Sequence, residues 1–251
     1  IWVGTDDGNI QITKKGGVVW ENVVKNIKEL PKNSWIPYLW TSLDGKTCWA
    51  VANNYRQNDW GTYVFKTEDY GKTWIRMTDD NIEDENGTII SARGNIQNPD
   101  LIIENEMGYA RCVLPHPKNN NLVFLGTDRG LWFSINGGKI WRKWTEGFPS
   151  VPVSDLKIQE YHNDLVIGTF GRGIWVIDDI SLLEKLAKDE KNIQSQLNGV
   201  SIVNTKNGRW VERMNTSGAR FVTETAFAAP DKPCGVLVDL WVNDKSDIKL
   251  Q

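Results

Sequence analysis

The sequence predicts an all-β fold: a partial β-propeller of four-stranded antiparallel blades, then a short helix and the start of a β-sandwich-type domain. Three observations carry this. One strand-and-turn block recurs four times; a tight glycine turn followed by tryptophan closes it in three copies; and the 13 tryptophans recur near turns, not at helical spacing. Such short strands cannot cover both of their faces alone, and radial stacking of sheets supplies the missing cover.

The first copy has apolar strands at residues 1–5 and 9–13, then Gly16, Gly17 and Trp20. The second has strands at 47–53 and 62–67, then Asp69, Tyr70, Gly71 and Trp74. The third has 122–127 and 131–135, then Asn136, Gly137, Gly138 and Trp141, and the fourth has 165–169 and 174–177. An earlier strand candidate precedes three of them, at 36–41, 109–114 and 153–158, so the full unit is four strands, A to D. Units of roughly 40 to 60 residues with this content read as propeller blades. A sandwich would not need the same turn chemistry at the same place in every unit.

After Ile177 the pattern stops. Asp178 and Asp179 replace the glycine turn, and Ser181-Leu182-Leu183-Glu184 fits a capping box that opens a helix through about Lys191. The last blade then lacks an outer strand, and N-terminal blades missing from this segment, on the same or a separate chain, are expected to complete the ring. Residues 181–225 read as helix and linker. Residues 235–242 and 247–250, around Asn243-Asp244-Lys245-Ser246, read as a hairpin within a C-terminal β domain over 226–251.

The closing turn is chemically specific. Thr67-Glu68-Asp69-Tyr70-Gly71-Lys72-Thr73-Trp74 matches the Asp-box pattern, Ser/Thr-x-Asp-x-Gly-x-x-Trp, at every defined position. The carboxylate accepts from turn amides, glycine takes positive φ, and tryptophan packs beneath the hairpin. In the third copy, Ser134, Gly138 and Trp141 keep the frame while Asn136 supplies the acceptor; in the first, Lys15 stands where the acceptor belongs. Thr67, Asp69, Gly71, Trp74, Ser134, Asn136, Gly138 and Trp141 are therefore assigned to structure, not to catalysis.

Residues 1–9, the run Tyr63 to Thr67 into the Asp box, Leu125-Gly126-Thr127-Asp128-Arg129-Gly130-Leu131, and Ile167-Gly168-Thr169-Phe170-Gly171-Arg172-Gly173-Ile174-Trp175 together resemble the sortilin-type, Asp-box (bacterial neuraminidase) repeat propeller family. The similarity is greatest to its large bacterial members, often labelled glycosyl hydrolases, and is strongest over residues 1–180. Residues 230–235 are similar to the segment with which those proteins enter a C-terminal β domain. The resemblance implies a secreted, periplasmic or cell-surface location.

Register separates the two ends of the propeller. The Asp boxes join strands C and D at one end; the B–C and D–A connections lie at the other, where propellers usually bind ligands. That end offers Tyr55, Arg56, Asp59, Trp60, Asp128, Arg129, Phe170 and Arg172, with Asp6 and Asp7 in the first copy. Aromatic faces beside arginine and carboxylate groups suit a glycan or an extended peptide, although the arginines equally suit structural hydrogen bonds between turns. The insertion over residues 78–108 falls on the same end; it is acidic at Asp79, Asp80, Glu83, Asp84 and Glu85 but lacks the ligand alternation of a calcium loop, and reads as solvated.

No catalytic constellation is complete. A glycosidase needs two opposed carboxyl groups, and nothing pairs Asp59, Glu104 and Glu106. A sialidase needs an arginine cluster with a tyrosine; Arg56, Arg93, Arg111 and Tyr55 lack that family's motif contexts. His116 and His162 have no nucleophile motif beside them. A glycan- or peptide-binding module, an extracellular glycoside hydrolase completed by the missing blades, and a structural module of a surface complex all stay open. Composition narrows the rest: 29 basic against 32 acidic residues, a net charge of −3 and no basic block argue against nucleic acid. No apolar run reaches the roughly 18 residues of a membrane span. Cys48, Cys112 and Cys234, widely spaced, read as buried apolar side chains rather than zinc ligands or a disulfide framework, and no cofactor is expected.

Overall fold

The computed structural model describes residues 1–78, 82–83, 89–90, 107–188, 200–205 and 238–242. The chain divides into two units, Ile1–Glu190 and Lys191–Gln251. The first is a partial β-propeller of four antiparallel meanders. The first sheet holds β1 (Trp2–Gly4), β2 (Ile10–Ile12) and β3 (Glu21–Asn22), which are strands B to D of a blade. The second holds β4 (Trp35–Thr41), β5 (Cys48–Asn54), β6 (Asp59–Thr67) and β7 (Ile75–Arg76).

The insertion after the second blade carries β8 (Ile82–Glu83) and β9 (Ile89–Ile90). The third blade is β10 (Ala110–His116), β11 (Asn119–Thr127), β12 (Gly130–Ser134) and β13 (Trp141–Lys143). The fourth is β14 (Val153–Gln159), β15 (Asp164–Thr169) and β16 (Ile174–Ile177), ahead of helix α1 (Ser181–Lys188). The insertion corrects the reading of a solvated loop: β8 pairs parallel with β13 and antiparallel with β9, extending the third sheet to six strands. An open outer strand leaves amides unpaired, and the insertion covers that edge. Asp79, Asp80, Asp84, Glu85, Arg93, Glu104 and Glu106 lie outside the described residues.

Sheets in the middle of the stack are apolar on both faces, which is why their strands read as continuous hydrophobic runs. Every residue of β5 is buried. In β11 the period of two sends Val123 and Leu125 into a core shared with Trp49, Val51 and Val64 of the second blade. Leu122 and Phe124 point the other way, into a core shared with Val153, Leu156, Leu165 and Ile167 of the fourth. A third core joins Ile10, Ile12 and Val23 to Ile36, Ala50 and Phe65. The hydrophobic effect thus acts between blades, and each blade is held by its neighbours.

The glycine turns seal these junctions. Gly71 at φ +81° leans on the first blade, where an added Cβ would lie 2.9 Å from Val23 Cγ2 and 3.2 Å from Trp2 Cη2. Its amide donates to Thr67 Oγ1 at 3.0 Å, and the Thr73 amide donates to Asp69 Oδ1 at 2.9 Å. Ser134 and Asn136 repeat both bonds at 2.9 Å each, from the Gly138 and Ile140 amides. In the first copy Thr13 Oγ1 still accepts from the Gly17 amide at 3.1 Å, which explains how that turn forms with Lys15 in the acceptor position.

Trp141 is buried and donates to the Met77 carbonyl at 2.7 Å. Trp74 donates to the Gly71 carbonyl at 3.1 Å and meets Trp2 edge to face. Trp20 departs from the expected packing: it is 43% exposed, because the first sheet has a neighbouring sheet on one face only among the described residues.

The capping box predicted for α1 is replaced by other bonds. The Ser181 amide donates to Asp179 Oδ1 at 3.1 Å, so Asp179, one residue ahead of the N-cap Ile180, satisfies the first helical amide, while Ser181 Oγ accepts from Asn163 Nδ2 at 3.1 Å. Glu184 turns instead to His116. In the second unit, β17 (Val200–Thr205) pairs antiparallel with β18 (Val238–Val242), so residues read as linker take part in a sheet. The partner strand expected at 247–250 lies outside the described residues, as do residues 230–235 and Cys234. Cys48 and Cys112 are free and buried, and burial pushes the Cys112 thiol up to about 12.

Candidate aromatic site at the B–C end

Strands A and B of a blade are antiparallel, so the start of A and the end of B share one end of the sheet. At the junction of the second and third blades this places Trp35 and Tyr109, which stand at the start of two A strands, beside the B–C turn that carries Tyr55 and Trp60. Tyr55 lies 6.1 Å from Trp60 and 5.1 Å from Tyr109 between ring centroids, and Trp60 lies 5.9 Å from Tyr109. Trp35 packs edge-on against Tyr55 at 6.4 Å, and the Arg56 guanidinium sits 4.9 Å over the Trp35 ring. Trp60 is 51% exposed, whereas Tyr55 and Tyr109 are half-buried behind it.

The turn is built to present these rings. Tyr55–Gln57 form one 3-10 turn, which Asn58 ends in the left-handed region at φ 59°. Asn58 Oδ1 accepts from Trp60 Nε1 at 3.3 Å, and Gln57 Nε2 donates to the Lys32 carbonyl at 3.3 Å. Tyr109 is clamped from both blades: Thr62 Oγ1 donates to the carbonyl of Gly108, and the Asp128 amide donates to that of Tyr109 at 3.1 Å.

Gly108, at φ +69°, is required by a close approach, since a Cβ there would lie 1.8 Å from Asp128 Oδ1. Burial raises the Asp128 carboxyl above the ordinary carboxylate range, against the opposing pull of Arg129. Its Oδ1 is buried and makes no hydrogen bond among the described residues.

The structure brings together Tyr55, Arg56, Trp60, Asp128 and Arg129 of the residues named from the sequence. Asp59 is at the same turn, but its carboxylate holds the turn together: Tyr63 Oη donates at 2.9 Å, the Gly61 amide at 3.0 Å and Asn54 Nδ2 at 3.1 Å. Phe170 and Arg172 are exposed on the B–C turn of the fourth blade and belong to no ring contact of the cluster among the described residues. Asp7 likewise serves its own turn through Thr5. Trp35 and Tyr109 were missed as site residues; the signal was their position at the start of an A strand, on the same end as the B–C turns.

Two described cavities lie at the opposite end. One, of 770 Å³, runs between the Asp boxes and is lined by Asp69, Arg76, Asn121, Asn136 and Lys139 among others. The other, of 620 Å³, is bordered by Trp40, Asp44, Pro115, Pro117 and Glu160. Asp69 and Asn136 are already committed to turn amides, and Asp44 to Ser42 and the Lys46 amide. No group of three or more His, Cys, Asp or Glu able to hold a metal ion occurs among the described residues. No helix among them is long and apolar enough to cross a membrane.

No family model matches the chain, and no curated protein matches it. Several solved structures are similar at low identity. A GH74 enzyme from Niastella koreensis is 16% identical with a TM-score of 0.45, over 71% of this chain and 26% of that one. The GH74 xyloglucanase from Xanthomonas campestris is 13% identical with a TM-score of 0.42, over 70% of this chain and 27% of that one. YCF48 bound to D1 peptide is 16% identical with a TM-score of 0.39, over 71% of this chain and 51% of that one. The chain spans about a quarter to a half of the length of these structures.

Proposed function

We propose that the propeller unit is a ligand-binding module of a secreted, periplasmic or surface protein of the sortilin-type, Asp-box repeat kind, and that a glycan or an extended peptide docks at its B–C end. One observation carries the reading: three connections from two blades bring four aromatic rings together, one of them a half-exposed indole. A fold held by cores between sheets gains nothing from an exposed tryptophan at a turn, whereas recognition of rings or apolar side chains does. Function lives in such sites rather than in the propeller itself.

The test is an array of glycans and peptides probed with the 251-residue chain and with its Trp60→Ala and Arg129→Ala variants. Loss of signal by about tenfold in Trp60→Ala supports the binding reading. Equal binding by all three proteins removes the B–C end as the ligand site, and none by any favours a structural module of a larger complex. The glycoside hydrolase reading draws on the half-buried Asp128, whose raised carboxyl has the character of a general acid. Release of reducing ends from a polysaccharide, abolished in Asp128→Asn, would support it.

A further inference from the structure

In three blades strand D closes the sheet by the same bond. The third residue after the turn tryptophan donates its amide to a carbonyl of strand C: Val23 to Ile10 at 2.9 Å, Met77 to Val64 at 2.8 Å and Trp144 to Leu131 at 2.8 Å. The donor residue is apolar each time. Trp74 and Trp141 pack toward the preceding blade, whereas Val23, Met77 and Trp144 pack toward the following one.

The fourth blade repeats this frame as far as strand C. Thr169 Oγ1 donates to the Gly173 carbonyl at 2.6 Å, as Thr127 does to that of Gly130 and Thr5 to that of Asn9, which sets Ile174 in register with Leu131 and Ile10. The Thr169 amide also donates to the Gly173 carbonyl, at 3.1 Å. Antiparallel alternation then turns the backbone of Trp175 and Ile177 toward β15, and the amides and carbonyls of Ile174 and Val176 toward the outer edge. Among the described residues no strand pairs with that edge. The flanking side chains fit a fourth strand as well. Trp175, against Phe148, lies on the side where a D-strand tryptophan packs, and exposed Ile174 lies on the side of the apolar donor.

We propose that the outer edge of β16 is a docking site for an extended segment of a partner polypeptide. The segment lies antiparallel to β16 and carries a tryptophan and, three residues on, an apolar residue whose amide donates to the Ile174 carbonyl. Backbone bonds give an added strand its affinity, and pockets for its side chains give specificity. A second copy of this chain is not the donor, because its D strands are paired in their own sheets. The site is independent of the B–C end.

The probe is a labelled synthetic octapeptide with the sequence of residues 138–145, titrated into the 251-residue chain by fluorescence anisotropy. Scrambled and tryptophan-to-alanine versions are measured beside it, and hydrogen exchange follows residues 174–177. The octapeptide binds, slows exchange at Ile174 and Val176, and loses about tenfold or more in affinity on scrambling or on alanine at either tryptophan. Val176→Pro removes an outward amide from an edge that tolerates proline and weakens binding about tenfold, with circular dichroism to verify the fold. The double variant Ile174→Lys, Val176→Lys weakens it through the side chains. Slow exchange of Ile174 and Val176 in the free chain would mean that its own residues fill the edge, and overturns the proposal. No binding, binding equal to that of the scrambled peptide, or binding unchanged in both β16 variants overturns it too. Dimerisation in sedimentation that the lysine variant abolishes assigns the edge to a second copy instead.

Discussion

Asp69 illustrates how a conspicuous carboxylate is used for shape. Hydrogen bonds from the Thr73 hydroxyl and amide hold its carboxyl low, at about 2. The second blade gains more from these bonds while Asp69 is ionised. The depressed value makes the contribution complete above the ordinary carboxylate range, and it is lost as pH falls through about 2. Because Asn136 makes the same amide bond in the third blade, Asp69→Asn is expected to be nearly neutral at pH 7. Asp69→Ala is expected to cost about 1 kcal/mol, the lower part of the range for a charge-assisted bond, since the side chain faces solvent. Urea unfolding of both variants measures the difference; an equal loss in the two would mean that charge, not the acceptor, holds the turn.

At the scale of elements, α1 is latched onto the third blade by side chains. Asn119 Nδ2 donates to the Glu184 carbonyl at 3.1 Å, Asn121 Nδ2 to that of Ala187 at 2.9 Å, and His116 Nε2 meets Glu184 Oε1 at 2.6 Å. The Lys118 amide donates to His116 Nδ1 at 3.2 Å, which selects the neutral tautomer with its proton on Nε2. Burial lowers the imidazole below its ordinary range, although Glu184, Asn163 and Glu160 pull upward; Lys118 adds to the lowering.

A lowered histidine contributes stability that is present above about 6.5 and is lost as pH falls through the depressed value. Protonation would also set an N–H at Nδ1 against the Lys118 amide. The thermal midpoint is therefore expected to be lower at pH 5 than at pH 7.5, with hydrogen exchange in α1 rising first. His116→Asn is expected to flatten that dependence while lowering the midpoint at pH 7.5. An unchanged pH profile in the variant would remove His116 as its cause.

Over the propeller unit, stability is a matter of neighbours. The inner sheets are covered on both faces, while among the described residues the fourth blade has one covered face: Trp175 and Ile177 join its core, and Ile174 and Val176 point outward at 75% and 53% exposure. Lysines at 174 and 176 are therefore expected to change unfolding free energy by no more than about 0.5 kcal/mol and to reduce binding of an apolar dye. Trp132→Ala, in the core between the second and third blades, is expected to cost about 3–5 kcal/mol. Chemical denaturation of the two proteins compares them; a large loss in the lysine variant would mean that this face is covered within the chain.

The amino-acid sequence alone determined the repeat, its strands and its turns, because these rest on local physics. Alternation of apolar residues sets the strands, positive φ sets the glycines, and Ser/Thr with Asp or Asn closes the hairpins of the second and third blades. It was also sufficient to tell one end of the propeller from the other, since antiparallel register follows from strand order. The use of each polar side chain was decided only by tertiary structure. Asp59 and Trp60 are neighbours in sequence at the same turn, yet Asp59 is consumed by Tyr63, Gly61 and Asn54 while Trp60 faces solvent. Trp35 and Tyr109 are 74 positions apart and reach the same cluster because adjacent blades stack with their A strands in parallel order. Ser181 and Glu184 have the spacing of a capping box, but Asn163 and His116, brought up by packing, took their side chains instead. Local rules settle which conformations a segment prefers; which partner a hydrogen-bonding group receives depends on what the folded chain brings within three ångströms.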